Sequence, residues 1–288
     1  IFFMWLIRIF LKIIFSRLPV KHYIWKKIGI FRNGGMNREE YSKKIFYGHL
    51  EDLRAIKKIE NPSIIEIGPG DGIATAIYAK KYKSPKVYLI DIEDYADKNI
   101  SVYLKIIKSL DNNLLSKIDY RNIKNVDDLL RTFNAYYLIE GLNSLKKIES
   151  ESIDYLFSHS VMEHIRLSEV DEYIFEMNRV LKKGGLISHN INYKDHLDES
   201  LNNLRFPEKI WESDFFAKSG FYTNRIPAVE MHKKFSNSGF KLVWEKFGAW
   251  EKLPLKRKYI DRKFKKYSDQ ELCNCTSAFI GGKIKNFK

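Results

Sequence analysis

The first residues of this chain that could do chemistry are an acid and a set of alternating glycines. Glu66 lies in the apolar run 64–67, and glycines occupy every second position from 68 to 72. Glycine allows tight backbone turns and lets backbone N–H groups approach a ligand that a side chain would exclude. A helix N-terminus directly after such a turn favours negative or polar groups. The segment 64–72 therefore predicts a strand followed by a turn that holds a ligand.

A second acid follows at the spacing expected of a nucleotide-binding fold. Asp91 comes directly after the apolar run 86–90, about twenty residues beyond the glycines. A carboxylate at the end of the second strand accepts hydrogen bonds from ribose hydroxyls in such folds. The glycine pattern is E-x-G-x-G-x-G and not the G-x-G-x-x-G of dinucleotide-binding proteins. The spacing thus argues against a dinucleotide.

Histidines supply the candidate proton acceptors. His159 follows the apolar run 153–157, and His164 lies a few residues further on. His159 is expected to line the pocket, either as a catalytic group or as a contact to the ligand. His164 is expected to orient the ligand or to serve as a base. Asp195 and His196 could form a catalytic dyad in which the carboxylate fixes the tautomer of the imidazole, and the alternative is a capping Asp beside a surface His.

No metal site is predicted. His189, Asp195 and His196 are metal-ligating residue types, but no second carboxylate accompanies them at a suitable spacing. Cys273 and Cys275 are too few for a disulfide framework or a four-cysteine zinc site. They indicate two thiols in a reducing, cytoplasmic setting.

The elements that would position these groups alternate between strands and helices. A helix at 73–82 links the first two apolar runs, and a helix at 38–59 precedes them. Tyr41 and Tyr47 of that helix either contact the ligand or pack in the core. Further strands are predicted at 136–139, 153–157, 186–191, 240–247 and 276–283. The alternation is typical of an α/β sheet, in which ligands bind beyond the carboxyl ends of the strands.

These motifs resemble those of class I S-adenosylmethionine (SAM)-dependent methyltransferases. The resemblance rests on the glycine segment with Asp91, on 152–165 as a fourth strand and its loop, and on 178–187 as a helix, a Gly-Gly turn and a fifth strand. It implies an α/β fold with a Rossmann-like, doubly wound, mostly parallel seven-stranded sheet, an N-terminal helical extension and a substrate-cap insertion. SAM is the implied cofactor.

The resemblance also implies which residues contact the cofactor. They lie in the glycine segment, after strand two, at the tip of strand three and after strand four: Glu66, Gly68, Pro69, Gly70, Asp71, Gly72, Asp91, Ile92, Glu140, Leu142, Ser158, His159 and His164. Of these, Glu140 and Leu142 match the family positions near the adenine ring. The implied division is a helical extension at 1–60 and a methyltransferase domain at 61–288, with a cap at about 193–238.

A weaker resemblance concerns the acceptor. Segments 31–36, 191–196 and 222–226 are similar to methyltransferases of surface-polysaccharide and cell-envelope biosynthesis. This similarity implies O-methylation of a sugar, a glycan or a lipid-linked intermediate. Side chains that could hold sugar rings and phosphate are Arg205, Trp211, Phe215, Tyr222 and Arg225.

Residues 1–18 form an apolar segment with few polar positions. Arg8, Lys12 and Ser16 are four residues apart, so that a helix would align them in one narrow stripe. The internal charges and the short length argue against a spanning helix, and no small-residue cleavage pattern follows. Three interpretations remain open: a helix packed on the domain or on a partner subunit, a helix lying on the inner face of a membrane, or a membrane anchor.

The net charge of +14 does not by itself indicate nucleic acid. Lys and Arg cluster in the N-terminal segment and at 252–266. The loop after strand four lacks the Asn/Asp-Pro-Pro-Tyr sequence of many nucleic-acid amino-methyltransferases, and no RNA-binding module is recognisable. A small-molecule, glycan or lipid-linked acceptor is therefore expected, and nucleic acid is not. An RNA methyltransferase and a non-catalytic SAM-binding scaffold remain alternatives, and the sequence predicts no oligomeric state.

Overall fold

The computed structural model describes residues 4–17, 35–116 and 118–284 of the 288-residue chain. The strands in these residues are β1 (Ile64–Ile67), β2 (Val87–Ile90), β3 (Ala135–Leu138), β4 (Ile153–His159), β5 (Leu181–Asn192), β6 (Phe240–Ala249) and β7 (Asn274–Lys283). They form one sheet in the order β3-β2-β1-β4-β5-β7-β6. Strands β1 to β5 are parallel, and β7 runs antiparallel between β5 and β6. The predicted Rossmann-like, mostly parallel seven-stranded sheet is confirmed.

Helices connect the strands and cover both faces of the sheet. The α-helices in the described residues are α1 (Met4–Arg17), α2 (Glu39–Ile56), α3 (Thr75–Ala79), α4 (Ile100–Lys108), α5 (Asn112–Leu115), α6 (Val126–Thr132), α7 (Leu142–Lys146), α8 (Val170–Val180), α9 (Glu208–Trp211), α10 (Asp214–Ala217), α11 (Ala228–Asn237) and α12 (Asp269–Cys273).

Two apolar layers enclose the sheet. On one face, α2, α3, α4 and α6 contribute buried side chains such as Phe46, Ile77, Tyr103 and Leu129. On the other face, α7, α8 and α11 contribute Leu145, Met177, Met231 and Phe235. Strands covered on both faces are expected to be apolar throughout, as β1 is apart from Glu66. A buried acid in such a strand therefore needs a specific explanation.

The strand order reverses between β1 and β4. β1 pairs with β2 on one side and with β4 on the other, and the chain reaches these neighbours through connections on opposite faces. The crevice beyond the carboxyl ends at such a switch point is where open α/β sheets bind ligands. The loops after β1, β2 and β4 meet there.

Strand β5 begins earlier than the sequence predicts. Instead of a separate Gly-Gly turn before residue 186, the strand runs from Leu181 through an irregularity in its pairing with β4. Ile153 pairs with Leu181, and Tyr155 pairs with Leu186, so that extra residues are accommodated on β5. Gly184 lies in this bulge with φ of +74°, a conformation that glycine adopts without strain.

The segment after β5 divides into two parts with different surroundings. Helix α11 packs Met231 and Phe235 against the sheet, so residues 228–237 belong to the helical layer rather than to a cap. Residues 193–227 fold around a separate apolar cluster that includes Leu197, Trp211, Phe221 and Tyr222. We refer to residues 193–227 as the cap.

Helix α1 packs on the cap with its polar side inward. Ile9 is buried in the cap cluster. Arg8 donates to the Leu197 carbonyl and pairs with Asp198 at 2.9 Å, and Lys12 donates to the His196 carbonyl at 2.9 Å. Arg8 and Lys12, two of the three residues of the predicted polar stripe, therefore contact the cap beside Ile9, although Arg8 stays 46% exposed. An ordinary amphipathic helix turns its polar stripe to solvent.

The opposite side of α1 is apolar and exposed. We call it the outer face of α1, and its side chains are Leu6, Ile7, Phe10, Leu11 and Ile14. Among the helices in the described residues, none is both long enough and apolar enough to cross a membrane. The basic residues between 18 and 34 lie outside the described residues. Of the segment 31–36, for which a similarity was predicted, only residues 35 and 36 are described.

Candidate active site

The glycine segment forms a tight turn at the carboxyl end of β1. Gly68 donates its N–H to the Ile90 carbonyl at 2.8 Å, which joins the turn to β2. Gly68 has φ of +71°, and a Cβ atom there would lie 2.3 Å from Cγ2 of Val161. A Cβ atom on Gly72 would lie 2.3 Å from the carbonyl group of Met36. Glycine is thus required at both positions, because other parts of the chain pass directly against the turn.

Glu66 is a buried carboxylate below this turn. Its residue is only 2 % exposed, and burial raises the pKa of Glu66 to about 8. Within the described residues, Oε2 of Glu66 has no hydrogen-bond partner of good geometry, although the Thr75 hydroxyl lies near enough to oppose the rise in pKa. A buried, unpaired carboxylate oxygen is costly unless a ligand satisfies it. The site therefore fits a ligand with a cationic or donor group, such as the ammonium group of SAM.

Asp91 joins the glycine turn to the end of β2. Its carboxylate accepts from the N–H of Gly70 at 3.0 Å and from the N–H of Ile92 at 2.8 Å. Burial raises the pKa of Asp91 to about 6, and these two hydrogen bonds oppose the rise. The carboxylate keeps further lone pairs that can accept from hydroxyl groups. This arrangement fits the ribose of a nucleoside.

The tip of β3 lies beside Asp91. Gly141 donates its N–H to the Asp91 carbonyl at 2.8 Å, which brings Glu140 and Leu142 next to Ile92. The side chain of Ile92 is exposed, and Glu140 forms an ion pair with Lys147. The structure thus brings together the predicted contacts from β1, β2 and β3.

Two predicted cofactor contacts use their side chains within the protein. The Asp71 carboxylate accepts from the backbone N–H groups of Gly35 and Asn37, at 3.0 and 3.3 Å. It therefore anchors the segment before α2 to the glycine turn. The Ser158 hydroxyl is fully buried and bonds Nδ1 of His189 at 2.7 Å. These hydrogen bonds hold the Asp71 and Ser158 side chains against other parts of the protein and not towards the crevice.

His159 ends a hydrogen-bonded chain that starts inside the sheet. Ser188 Oγ lies 2.8 Å from Nδ1 of His49, and Nε2 of His49 lies 3.4 Å from Nδ1 of His159. Asn190 also contacts Nδ1 of His159, at 3.1 Å. Burial lowers the pKa of both imidazoles, so both rings are neutral at pH 7. The edge of the Tyr41 ring packs against His159, whereas Tyr47 packs in the core.

The predicted dyad of Asp195 and His196 does not form. The Asp195 carboxylate accepts from the backbone N–H groups of Leu197, Asp198, Ser200 and Asn202. Within the described residues, no hydrogen bond joins it to the His196 ring. Asp195 is 1 % exposed and organises the turn at the start of the cap. The expectation of a catalytic dyad was wrong because these backbone donors occupy both carboxylate oxygens.

His196 instead meets His164 and Glu163. The two imidazole rings lie with centroids 4.8 Å apart, and Glu163 is buried beside them. Burial raises the pKa of Glu163 to about 8 and lowers the pKa of His196 to about 3. His189, the other residue considered for a metal, packs between Phe235 and Phe279, away from this group.

The side chains expected to hold a sugar are mostly inside the cap. Trp211 is fully buried and donates its Nε1–H to the Thr223 carbonyl at 2.7 Å. Arg225 is buried and donates to the carbonyls of Asn203 and Phe206. Of that set, Phe215 is exposed and lies under the Arg17 guanidinium. Trp211, Tyr222 and Arg225 thus stabilise the cap. The prediction that these three side chains hold the acceptor was wrong, because they are buried.

Comparison with known proteins decides the enzyme class. Residues 65–188 match the family model described as a methyltransferase domain. These residues contain the glycine turn, Asp91, the β3 tip and the His159 loop. This segment is a class I SAM-dependent methyltransferase domain. Its cofactor is SAM, as predicted.

Solved structures resemble the methyltransferase in fold. A protein of Pyrococcus horikoshii is 14% identical over 92% of this chain and 100% of its own, with a TM-score of 0.50. A SAM-dependent methyltransferase of Methanosarcina mazei is 19% identical over 79% of this chain and 95% of its own, with a TM-score of 0.49. One of Aquifex aeolicus is 14% identical, covers 82% of this chain and 89% of its own, and has a TM-score of 0.43. Among curated proteins, none matches the chain.

Two groups of the methyltransferase escaped prediction from the sequence. His49 lies on the buried face of α2, in helical register with Ile45, Phe46 and Leu53. A histidine among apolar core positions is the signal that could have found it. Glu163 carries no sequence signal of its own, since it stands beside His164, which matches the family pattern. Its burial depends on the cap, where Asn224 donates its backbone N–H to the Glu163 carbonyl at 2.7 Å.

Proposed function

We propose that this methyltransferase O-methylates a sugar hydroxyl of a glycan or of a lipid-linked intermediate at the surface of a membrane. The observation that carries the proposal is the neutral imidazole of His159 at the carboxyl end of β4, backed by His49 and Ser188. A hydroxyl acceptor must lose a proton during methyl transfer, and a positioned neutral imidazole can take it. The resemblance of the cap to polysaccharide methyltransferases supports the sugar.

SAM supplies a methyl group on a leaving group that is already activated. The residues of the chain then have to orient the acceptor, exclude water and remove the proton. His159 accepts a proton at Nε2 when its Nδ1–H donates to His49 and His49 in turn donates to Ser188. The Asn190 carboxamide lies with its nitrogen 3.1 Å from Nδ1 of His159, so this tautomer requires the amide to be turned over, with its oxygen accepting from the Nδ1–H. Both amide orientations fit the same atom positions. His49 is therefore a positioning residue.

The outer face of α1 supports contact with an anionic lipid surface. A helix that turns its polar stripe to protein and its apolar side to solvent has an unsatisfied apolar face. Residues 1–34 contain no Asp or Glu; their basic residues are Arg8 and Lys12, which bond the cap, and Arg17, Lys21, Lys26, Lys27 and Arg32. A basic segment close in sequence to an apolar helix strengthens binding to anionic lipid. A lipid-linked acceptor would be presented at that surface.

Replacing two side chains of the outer face tests this contact. Phe10→Ser combined with Ile14→Ser is expected to reduce binding to vesicles of phosphatidylglycerol and phosphatidylcholine at least tenfold, since each apolar side chain buried in lipid contributes about 1.5–3 kcal/mol. The measurement is vesicle cosedimentation. Phe175→Ser combined with Val243→Ser is the matched control, because these side chains are similarly exposed elsewhere. Equal vesicle binding by the α1 variant and the control would refute lipid contact through α1.

The acceptor itself is tested with SAM carrying a labelled methyl group. The protein is incubated with fractionated cell extract, and the fraction that gains label is identified. We expect label in lipid-linked or free glycan, in an O-methyl group detected by mass spectrometry. Label in RNA, lost at high salt, would replace the proposal with an RNA methyltransferase. SAM binding without transfer to any fraction would identify a non-catalytic scaffold.

A further inference from the structure

Three metal-ligating side chains converge beyond the carboxyl ends of β4 and β5. Glu163 and His164 lie in the loop after β4, and His196 lies in the cap. Each offers one ligand atom, and these atoms all lie within 4.8 Å of one another. Glu163 is buried, His196 is half-buried and His164 is exposed, so the group opens to solvent on the His164 side.

The hydrogen bonds of Glu163, His164 and His196 leave one atom of each side chain free to bind a ligand. His164 bonds the Tyr222 carbonyl through Nδ1 at 2.9 Å; because a carbonyl only accepts, Nδ1 carries the proton and Nε2 keeps its lone pair. Oε1 of Glu163 accepts from the N–H of Asn192 at 3.3 Å. Within the described residues, Oε2 of Glu163 and Nε2 of His196 are buried without any partner. Such orienting bonds on the far side of a ligand are typical of metal sites.

We propose that Glu163, His164 and His196 bind a divalent transition-metal ion of the zinc class. Two imidazoles and one carboxylate are the ligand set of several catalytic zinc sites, which keep a fourth position open. The same set suits Fe²⁺, Mn²⁺ and Co²⁺. The sequence alone did not predict this site because its ligands come from two loops that are far apart in the chain.

The distances between the three ligand atoms are only slightly longer than those of a zinc site. Ligand atoms in a tetrahedral zinc site lie roughly 3.4 Å apart, given bonds of about 2.0–2.2 Å. Atoms within 4.8 Å of one another would have to close by on the order of 1 Å, which rotation of the exposed His164 and half-buried His196 rings can supply.

Lys12 is the neighbouring charge that opposes a metal ion. Its ammonium group donates to the His196 carbonyl, and its charge is felt by both imidazoles. With a metal ion bound, Glu163 would be ionised and would supply the negative charge of the site, and Lys194 is a second cation near His196. Removing the Lys12 charge should therefore tighten metal binding, whereas replacing the Glu163 carboxylate should weaken it strongly.

The three side chains lie beyond the same strand ends as His159. Asn190 pairs with His159 in the sheet, and Asn192, two residues further along β5, holds Glu163. A metal ion there would bind the acceptor hydroxyl and lower its pKa, so that His159 can remove the proton. This role, unlike the metal site itself, rests on the proposed function.

Metal binding can be measured without any acceptor. The full chain is stripped with a chelator and titrated with Zn²⁺ by calorimetry and with Co²⁺ by visible absorption. We expect one equivalent to bind with micromolar or tighter affinity, with an intense Co²⁺ spectrum typical of low coordination number. Glu163→Gln and His196→Gln should each weaken binding at least 100-fold, and Lys12→Gln should strengthen it several-fold. Circular dichroism establishes that each variant is folded.

His232→Gln is the matched control, because His232 also contacts a carboxylate, Glu245, but has no second imidazole beside it. It should bind metal like the wild type. The metal site is refuted if the folded wild type binds neither ion at millimolar concentration, or if Glu163→Gln and His196→Gln bind as tightly as the control. Metal binding by a protein that transfers no methyl group would refute the proposed function while supporting the site.

Discussion

Asp91→Ala is expected to weaken SAM binding by roughly 10- to 100-fold, as measured by calorimetry. The carboxylate joins the Gly70 turn to β2 and is the group available to ribose hydroxyls. Loss of hydrogen bonds between a charged acceptor and buried donors costs on the order of 1–3 kcal/mol, which corresponds to this range. Asp91→Asn should lose nearly as much, since its amide nitrogen cannot accept from a backbone N–H or a hydroxyl.

The raised pKa of Asp91 also predicts that SAM affinity depends on pH. The pKa of Asp91 is raised to about 6, so the accepting carboxylate form is complete above that pH and is lost as the pH falls through it. SAM affinity of the wild type should therefore decrease below pH 6, and that decrease should be absent in Asp91→Ala. Asp94→Ala is the control, because Asp94 is a nearby exposed acid paired with Lys98. Equal SAM affinities of wild type and Asp91→Ala would contradict the assignment.

The parts of the fold that the sequence predicts are those set by local patterns. Strands β1 and β2 are short apolar runs bounded by a glycine turn and an acid, and each signal lies within a few residues. The bulge in β5 has no such signal, because it depends on how many residues β4 offers as partners. The Gly-Gly pair predicts a turn, but Gly184 lies in the bulge, and glycine adopts the positive φ that turns and bulges both require.

Helix α1 shows a different limit of prediction from the sequence, because its orientation depends on the cap. Its polar stripe could be predicted from the four-residue spacing of Arg8 and Lys12, but its orientation could not. The usual expectation buries the apolar side. Here the backbone carbonyls at 196 and 197 accept from the two cations, Ile9 is buried beside them, and Trp5 and Ile13 are partly buried.

The candidate site shows the same difference between local motifs, which the sequence predicts, and contacts between distant residues, which it does not. The turn after Glu66, Asp91 and the β3 tip are local motifs whose backbone geometry follows from their own residues. The contacts of His159 depend on His49 in α2 and Ser188 in β5, which are far away in sequence. Asp195 was misjudged for the same reason, because its partners are backbone N–H groups that only the folded cap aligns.

His159→Gln is expected to reduce the rate of methyl transfer by on the order of 100- to 10,000-fold at saturating SAM, which is the usual contribution of a general base. The measurement is the initial rate of label transfer into the acceptor fraction. SAM affinity should change little, because the glycine turn and Asp91 remain intact. His49→Gln, which can still meet Ser188, should lower the rate less and shift its pH profile, since it alters the tautomer and pKa of His159 rather than removing the base.

His232→Gln serves again as the reference, because it changes a buried histidine that lies outside the hydrogen-bonded chain from Ser188 to His159. A His159→Gln rate equal to that of the reference would exclude His159 as the base. The wild-type rate should be flat between pH 7 and 9, because an imidazole with a lowered pKa is already deprotonated throughout that range. A rate that rises through this range would contradict His159 as the base.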